Sequence, residues 1–223
     1  MAESCLLYYI TDRTAFPGDE RSRRNRLLEK IAEAARAGVD YIQLREKDLP
    51  TRDLESLARE AVNVLAQLRT ESRELATALL INSRSDVALA VHTDGIHLRG
   101  DDISPQEAKA IWAECDAGAP ARANSPRVPT IGVSCHSPAE VAQAAANSAH
   151  LTTFSPVFEK GDAQPTGLGR LREACQEKIP VIALGGVTLE NASSCLEAGA
   201  AGIGAIRLFQ ENHVASIVKH LRG

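Results

Sequence analysis

Residues 43–48 bring an amide, two cations and two carboxylates together directly after an apolar run. The segment reads Gln-Leu-Arg-Glu-Lys-Asp and follows residues 39–42, which are typical of a buried strand. Side chains alternate along a strand, so Gln43 and Arg45 point to one side, and Lys47 continues that side past the strand end. An unpaired cation is costly to bury. We therefore expect these side chains to face a cleft that binds an anion such as phosphate, for which arginine offers a planar fork and lysine a point charge.

The same segment also has a purely structural interpretation. Glu46 and Asp48 could neutralise Arg45 and Lys47 in a salt-bridged strand end, and structural ion pairs gather charges just as binding sites do. The six residues by themselves do not decide between an ion-pair cluster and a ligand site.

The elements that must position this cluster alternate along the whole chain. Short apolar runs are separated by stretches whose apolar residues recur at helical spacing, such as residues 27–35. Ser104 and Ser137 each precede a proline and lie three residues before a glutamate, which is the pattern of a capping box at a helix start. The predicted strands cover residues 6–11, 41–45, 78–82, 95–98, 130–134, 150–155, 180–184 and 202–206.

About eight strand–helix units in 223 residues predict an α/β protein with one closed (β/α)8 barrel of parallel strands, a TIM barrel, spanning residues 1–223 as a single domain. An open doubly wound sheet alternates strands and helices too, but eight units without a long insertion favour closure. Residues 116–129, rich in alanine, proline, arginine and serine, are predicted to form a surface excursion before the fifth strand.

In such a barrel the active site lies at the carboxyl ends of the strands. These ends carry many more polar groups here than the opposite ends do, and this asymmetry is the main argument for a site. The polar side chains are those of Asp12, Arg13, Gln43, Arg45, Lys47, Asn82, Ser83, His97, Arg99, Asp102, Ser134, His136, Ser155 and Arg207.

Gly185 and Gly186 follow the seventh predicted strand. Glycines there let backbone N–H groups approach a phosphate closely, and the small residues of the eighth strand leave room beside them. Barrels form a phosphate site after their last two strands. A tight turn explains two glycines equally well, but their location favours the phosphate interpretation.

Three more strand-end residues have chemistry of their own. His136 follows Ser134 on the ligand side and precedes a capped helix, so it is a candidate for moving a proton. Asp102 could hold magnesium against phosphate oxygens, although Asp101 and Asp102 could equally be loop residues beside the Ser104 helix start. No spacing in the sequence indicates a zinc site, a Ser–His–Asp triad or a Walker loop.

Composition restricts the class of partner. The net charge is −4 and aromatic residues make up 4% of the chain, so nucleic acid is not the expected partner. No run reaches transmembrane length, and no basic segment precedes the apolar residues 6–10, so we expect neither a membrane partner nor a signal peptide. Five scattered cysteines without a Cys-x-x-Cys pair suit reduced thiols and predict a cytoplasmic protein.

Several of these segments, in this order, resemble the thiamine phosphate synthase / TenI superfamily over almost the full chain. They read Tyr-Ile-Thr-Asp at 9–12, Gly-Val-Asp-Tyr-Ile-Gln-Leu-Arg-Glu-Lys-Asp at 38–48, Leu-Ile-Asn at 80–82, Asp-Gly-Ile-His-Leu at 94–98, Ile-Gly-Val-Ser-Cys-His-Ser at 131–137, Ser-Pro-Val-Phe at 155–158 and Gly-Gly-Val-Thr at 185–188. The resemblance implies a (β/α)8 barrel, small phosphorylated substrates and a homodimer.

Synthases of this superfamily join an aminopyrimidine diphosphate to a thiazole phosphate and release diphosphate with the help of Mg²⁺. By resemblance, the diphosphate ligands are Gln43, Arg45, Lys47 and Asn82, the magnesium ligands are Asp102 and Ser83, the pyrimidine neighbour is Ser134, and the thiazole phosphate ligands are Gly185 and Gly186.

The chain also departs from the synthase pattern. Ser83 stands where synthases usually carry a magnesium-binding aspartate. The loop at 159–167 lacks the usual threonine- and lysine-rich arrangement, with Lys160 and Thr166 as candidate substitutes. Arg207 replaces a small residue, and it could grip the thiazole phosphate or block its site.

Three functions therefore remain open. A thiamine phosphate synthase is favoured, because an intact diphosphate cluster has little use in an enzyme whose ligand carries one phosphate. TenI-type thiazole tautomerases instead move a proton, and in such an enzyme His136 is the implied acid and base. A non-catalytic, regulatory phosphate-binding barrel is the third possibility.

Overall fold

The structure, a computed structural model, describes residues 5–72, 74–117, 128–159 and 164–223. Eight parallel strands form a barrel in chain order, and β1 pairs with β8 to close it. The strands are β1 (Leu6–Ile10), β2 (Tyr41–Leu44), β3 (Ala78–Asn82), β4 (Gly95–Leu98), β5 (Thr130–Cys135), β6 (Leu151–Phe154), β7 (Val181–Ala183) and β8 (Gly202–Ala205). The predicted (β/α)8 barrel is confirmed.

Helices follow the strands around the outside. They are α1 (Glu20–Arg36), α2 (Thr51–Glu71), α3 (Ser85–Val91), α4 (Pro105–Ala117), α5 (Pro138–Ala146), α6 (Gly167–Ala174), α7 (Ala192–Glu197), α8 (Arg207–Gln210) and α9 (Val214–Arg222). A short 3-10 helix at Arg13–Ala15 precedes α1.

All eight predicted strands are present, and their bounds agree with the prediction to within one residue at each end. The differences fall mostly at the carboxyl ends, where hydrogen bonding continues beyond the regular ladder. The N–H of Thr11 donates to the carbonyl of Gln43 at 3.0 Å, one residue past β1.

Alternation along the strands separates an inner core from an outer one. Tyr8, Leu80, Leu151 and Ile182 pack together inside the barrel, whereas the residues between them face the helices. These four residues each lie two positions before a cavity-lining residue in the same strand or directly after it. They therefore close the barrel beneath the carboxyl-end face.

The two predicted helix starts are confirmed. The N–H of Glu107 donates to the Ser104 hydroxyl at 3.2 Å, and the Glu107 carboxylate accepts from the Ser104 N–H at 2.8 Å. The N–H of Glu140 donates to the Ser137 hydroxyl at 3.3 Å, while the Glu140 carboxylate accepts from the N–H of His136 at 2.7 Å. The second box therefore also holds the backbone of a site candidate.

The surface excursion over residues 116–129 stays a prediction, and only its first bound meets a described helix. Helix α4 extends to Ala117, so the helical periodicity continues two residues into the segment. Residues 118–127 lie outside the described residues. In the part of the chain that the structure describes, no helix is both long enough and apolar enough to cross a membrane.

Candidate active site

A cavity of about 460 Å³ opens at the carboxyl ends of the strands, and all eight strands or their following residues contribute to it. Its size suits a small ligand. The lining residues are Ile10, Gln43, Arg45, Lys47, Asn82, His97, Arg99, Gly100, Asp101, Ser134, His136, Thr153, Ser155, Leu184 and Ile206.

The cationic side of the cavity is formed by Arg45, Lys47 and Arg99. The guanidinium of Arg45 and the ammonium of Lys47 have no ion-pair partner among the described residues, whereas Arg99 pairs with Asp101 at 3.2 Å. The positive charge of Arg45, followed by burial and Arg99, lowers the pKa of Lys47. The three cations exceed the carboxylate of Asp101 that lines the same cavity, and this excess of positive charge attracts an anion.

Arg13 explains why Arg45 and Lys47 have no carboxylate partner in the part of the chain that the structure describes. Its guanidinium lies 2.7 Å from Asp48 and 3.3 Å from Glu46, so it takes both carboxylates of the 43–48 segment. The salt-bridged strand end that the sequence left open therefore does not form with Arg45 and Lys47. It forms with an arginine from the preceding strand–helix unit.

Glu46 belongs to this structural network and not to the cavity. Its carboxylate is buried and accepts hydrogen bonds from the Thr11 hydroxyl at 2.5 Å and the Arg13 N–H at 3.0 Å. Burial raises the pKa of Glu46, although the bonds from Thr11 and Arg13 oppose this.

Gln43 and Asn82 form the amide part of the site. Gln43 is 2% exposed and donates from Nε2 to Asn82 Oδ1 at 3.3 Å. Asn82 in turn donates from Nδ2 to the Ser83 hydroxyl at 3.3 Å. Both amides line the cavity next to Arg45, as the alternation of β2 predicts.

His97 and Ser134 meet inside the barrel. His97 Nε2 lies 2.9 Å from the Ser134 hydroxyl, and Nδ1 lies 2.7 Å from the hydroxyl of Tyr8. Burial, followed by the positive charge of Arg45, lowers the pKa of His97 to about 3. The imidazole is therefore neutral at physiological pH.

His136 stands at the exposed rim of the cavity. Its Nδ1 lies 2.7 Å from the carbonyl oxygen of Ser155, and its backbone N–H donates to Glu140. Because Nδ1 donates a hydrogen bond to this carbonyl, the proton of one ring nitrogen is placed on Nδ1 and Nε2 is the nitrogen that can accept. This arrangement suits a group that removes a proton from a ligand.

Gly185 and Gly186 lie beside the cavity and do not line it. Their φ angles are +92° and +66°, and a Cβ at Gly185 would lie 2.6 Å from the Cα of Pro156. A Cβ at Gly186 would lie 2.7 Å from the carbonyl oxygen of Glu159. Both glycines are therefore required by the close approach of the loops after β6 and β7.

Arg207 and the 159–167 loop are also outside the cavity lining. Arg207 is exposed at the start of α8. Thr166 donates its hydroxyl proton to the carbonyl of Pro156 at 2.8 Å, so it closes the loop on itself. Lys160, the other candidate substitute, lies outside the described residues.

The two candidate magnesium ligands do not line the cavity either. The Asp102 carboxylate accepts from the backbone N–H of Arg99 at 2.7 Å and lies 3.5 Å from its guanidinium, while Asp101 faces the cavity. Ser83 has a φ of +62° and accepts from Asn82. Among the described residues there is no group of three or more histidines, cysteines, aspartates and glutamates that could hold a metal ion.

Sequence reasoning missed Asp101, which lines the cavity, and two polar residues of the barrel interior. Tyr8 supports His97 from below, and Thr153 lines the cavity with a buried hydroxyl that has no hydrogen-bond partner in the described part of the chain. Both could have been found from alternation, because Tyr8 precedes Ile10 by two residues and Thr153 precedes Ser155 by two.

The chain matches known proteins over most of its length. The TMP-TENI family model, described as thiamine monophosphate synthase, matches residues 7–209. The thiamine-phosphate synthase of Syntrophomonas wolfei is 38% identical over 205 residues, which cover 90% of this chain and 86% of that protein. The thiamine-phosphate synthase of Methanoculleus marisnigri is 34% identical over 222 residues, which cover 97% of this chain and 93% of that protein.

A solved structure agrees with these relatives. The thiamine phosphate pyrophosphorylase from Pyrococcus furiosus superposes with a TM-score of 0.74 at 30% sequence identity, covering 99% of this chain and 95% of that chain. The family match, the relatives and the barrel with its cationic carboxyl-end cavity point to the same conclusion: the chain belongs to the thiamine monophosphate synthase family.

Proposed function

We propose that the protein is a thiamine phosphate synthase that joins an aminopyrimidine diphosphate to a thiazole phosphate and releases diphosphate. The observation that carries the proposal is the pair of cations Arg45 and Lys47, which face the cavity while Arg13 takes the neighbouring carboxylates. Two cavity cations without an ion-pair partner among the described residues suit a ligand with more than one negative charge.

The reaction needs stabilisation of a leaving group more than it needs a base. The bond between the pyrimidine methylene carbon and the diphosphate oxygen breaks, and the diphosphate leaves with the electron pair. Gln43 and Asn82 donate hydrogen bonds to it, and Arg45 and Lys47 supply positive charge. The thiazole nitrogen then forms the new bond to the methylene carbon.

The oxygen donors of Asp102 and Ser83 are compatible with Mg²⁺. Magnesium favours hard oxygen ligands and binds through one or two carboxylates together with substrate phosphates. Asp102 keeps its carboxylate partly exposed beside the cationic side of the cavity. When bound there with the substrate, the ion supplies neutralisation of the developing diphosphate charge.

The thiazole phosphate is assigned to Gly185 and Gly186, with Arg207 at the next strand end. The N–H groups of Gly186 and Val187 have no hydrogen-bond acceptor among the residues that the structure describes. Free N–H groups at positive φ form a concave anion site. Arg207 is exposed and close in sequence to Ile206, which lines the cavity.

A thiazole tautomerase is the second candidate, and His136 is the observation that favours it. The Ser155 carbonyl fixes one ring nitrogen and leaves the other free at the rim of the cavity. In this reaction His136 removes a proton from one carbon of the thiazole carboxylate phosphate and returns it at another.

A coupling assay separates these candidates. Purified protein is mixed with both synthase substrates, with and without Mg²⁺, and thiamine phosphate is measured. We expect magnesium-dependent product. No coupling, together with conversion of the thiazole carboxylate phosphate that is lost in His136→Ala, would assign the tautomerase. Binding of thiazole phosphate without either turnover would assign the regulatory barrel.

We further propose a cytoplasmic, single-domain homodimer. All five cysteines are free, which suits a reducing compartment. Two of the exposed large apolar side chains of the described residues, Ile103 and Ile111, lie just before α4 and within it, and this surface is the candidate contact. Light scattering tests the dimer, and Ile111→Glu should shift it to monomer.

A further inference from the structure

Three polar side chains form a hydrogen-bonded chain from the barrel interior to the cavity. The Tyr8 hydroxyl contacts His97 Nδ1 at 2.7 Å, and His97 Nε2 contacts the Ser134 hydroxyl at 2.9 Å. Tyr8 is fully buried and His97 is 1% exposed, whereas Ser134 lines the cavity. The chain therefore has one closed end and one end that faces a ligand.

The position of the imidazole is fixed by its surroundings. A Cβ on Gly132 would lie 2.7 Å from His97 Nδ1, so the glycine makes room for the ring. The rings of Tyr8 and His97 pack edge to face with their centroids 5.7 Å apart. The ring is buried and its two nitrogens contact the hydroxyls of Tyr8 and Ser134. Burial favours the neutral ring, in which one nitrogen donates and the other accepts.

The buried Tyr8 end of this hydrogen-bonded chain decides which group donates and which accepts at each of its two hydrogen bonds. If Nδ1 carried the proton, Tyr8 would accept it, and the proton of the buried Tyr8 hydroxyl would have no acceptor among the described residues. An unpaired buried donor is unfavourable. When Tyr8 instead donates to Nδ1, the proton on Nε2 donates to Ser134, and each group of the chain has a partner.

We infer that Tyr8 and His97 are positioning residues that turn the proton of the Ser134 hydroxyl toward the cavity, where it donates to an acceptor atom of the bound ring. The Ser134 oxygen accepts from His97, so its own proton is left for the ligand. Under the proposed synthase function, on which the identity of the ring rests, the acceptor is a ring nitrogen of the aminopyrimidine.

The first test reads the tautomer of His97 and needs no ligand. Long-range ¹H–¹⁵N spectra of protein labelled at histidine report which ring nitrogen carries the proton, and His97→Asn assigns the signals. We expect a proton on Nε2 and a bare Nδ1, the tautomer in which Tyr8 donates to His97 and His97 donates to Ser134. A proton on Nδ1, or a doubly protonated ring, overturns the inference.

The second test uses Tyr8→Phe, which keeps the ring and removes the donor. We expect the KM for the aminopyrimidine diphosphate to rise roughly three- to tenfold, the cost of one misdirected hydrogen bond, with the KM for thiazole phosphate unchanged. In the double variant, Ser134→Ala should raise this KM little beyond the value of Tyr8→Phe alone, since both substitutions remove the hydrogen bond from Ser134 to the ligand. Full additivity of the two substitutions, or an equal rise in both KM values, contradicts the inference.

Tyr9→Phe is the matched control. Tyr9 is adjacent and equally buried, but its hydroxyl donates to Gln210 at 3.2 Å on the outer face of the barrel. It should change neither KM. If wild-type protein does not bind the aminopyrimidine diphosphate, the synthase proposal fails. The tautomer of His97 still decides whether Tyr8 donates to His97 and His97 donates to Ser134. If Tyr8→Phe does not fold, the wild-type spectrum decides it as well.

Discussion

Arg13 and Arg45 are two arginines at neighbouring strand ends with opposite surroundings. Arg13 has a side chain that is 5% exposed and is bound to Glu20, Glu46 and Asp48. Arg45 faces the cavity and has no carboxylate partner among the described residues. Arg13 is thus structural, whereas Arg45 is available to a ligand. Substitution of Arg45 should therefore lower activity, and substitution of Arg13 should lower stability.

Arg45→Ala should lower kcat/KM for the coupling reaction roughly 100-fold, because it removes charge stabilisation of the leaving diphosphate. Binding of thiazole phosphate should be largely unaffected. The urea midpoint should not fall, since no protein carboxylate loses a partner. Arg45→Lys retains the charge but not the fork, so its rate should be intermediate. Wild-type turnover in Arg45→Ala would show that the diphosphate is held elsewhere.

Arg13→Ala should destabilise the protein by about 3–5 kcal/mol, because it leaves the buried Glu46 carboxylate without its cation. Urea unfolding measures this loss. Arg59→Ala is the matched control, since Arg59 pairs with Glu55 on the surface with 52% and 40% of the two side chains exposed, and its loss should cost about 0–1 kcal/mol.

The effect of Arg13→Ala should also depend on pH. Burial already raises the pKa of Glu46 above its ordinary 4.5, and removal of the cation raises it further. A carboxyl with a raised pKa binds its proton more tightly in the folded state, so stability falls as the pH rises from 4.5 through the folded pKa. The difference between variant and wild type should therefore be largest near neutral pH and shrink below 4.5. A constant difference would mean that Glu46 is not the group left unpaired.

At the scale of elements, the loops after β6 and β7 are held to each other and not only to a ligand. Val157 donates its N–H to Leu184 at 2.9 Å, and Phe158 donates to Gly185 at 3.0 Å. The two glycines therefore have a packing role that is separate from any role in phosphate binding. The turn interpretation and the phosphate interpretation of the sequence are compatible. The packing leaves no room for a Cβ at either glycine, but among the described residues it does not occupy the N–H groups of Gly186 and Val187.

Gly185→Ala should destabilise the protein by about 2–5 kcal/mol, since a Cβ would meet Pro156 at 2.6 Å and the φ of +92° is unfavourable for alanine. Gly169→Ala is the matched control in the neighbouring α6. Nothing lies within 4 Å of its Cβ position, and the helical site should gain about 0.5–1 kcal/mol. Thermal unfolding compares the two, and a loss of stability in both would contradict this distinction.

At the scale of the whole molecule, the net charge of −4 contrasts with the cationic cavity. In an acidic protein, a local cluster of cations attracts anions through its own field, and salt screens the attraction. Diphosphate should therefore raise the melting temperature at low salt, about 0.05 M, and raise it much less at about 0.5 M. Arg45→Ala should show little rise at either concentration. A salt-independent rise would indicate that the cavity charges do not bind the anion.

Much of the architecture follows from local sequence. The apolar runs that formed β3 and β4 have the predicted bounds, and the capping boxes at Ser104 and Ser137 begin the helices as expected. These features depend on residues within a few positions of each other, so periodicity and hydrogen bonding along the chain are enough to define them. Alternation along β2 is likewise enough to put Gln43 and Arg45 on the cavity side.

Only the tertiary structure decided which charges are neutralised and which buried groups meet. Arg13 reaches Asp48 across 35 positions, and Tyr8 reaches His97 across 89. Such partners become neighbours when the barrel closes, and no local pattern encodes the distance between them. The sequence by itself determined a (β/α)8 barrel with a polar carboxyl-end face. Barrel closure decided that Arg45 is left for a ligand, because it brings Arg13 to the only carboxylates in the 43–48 segment.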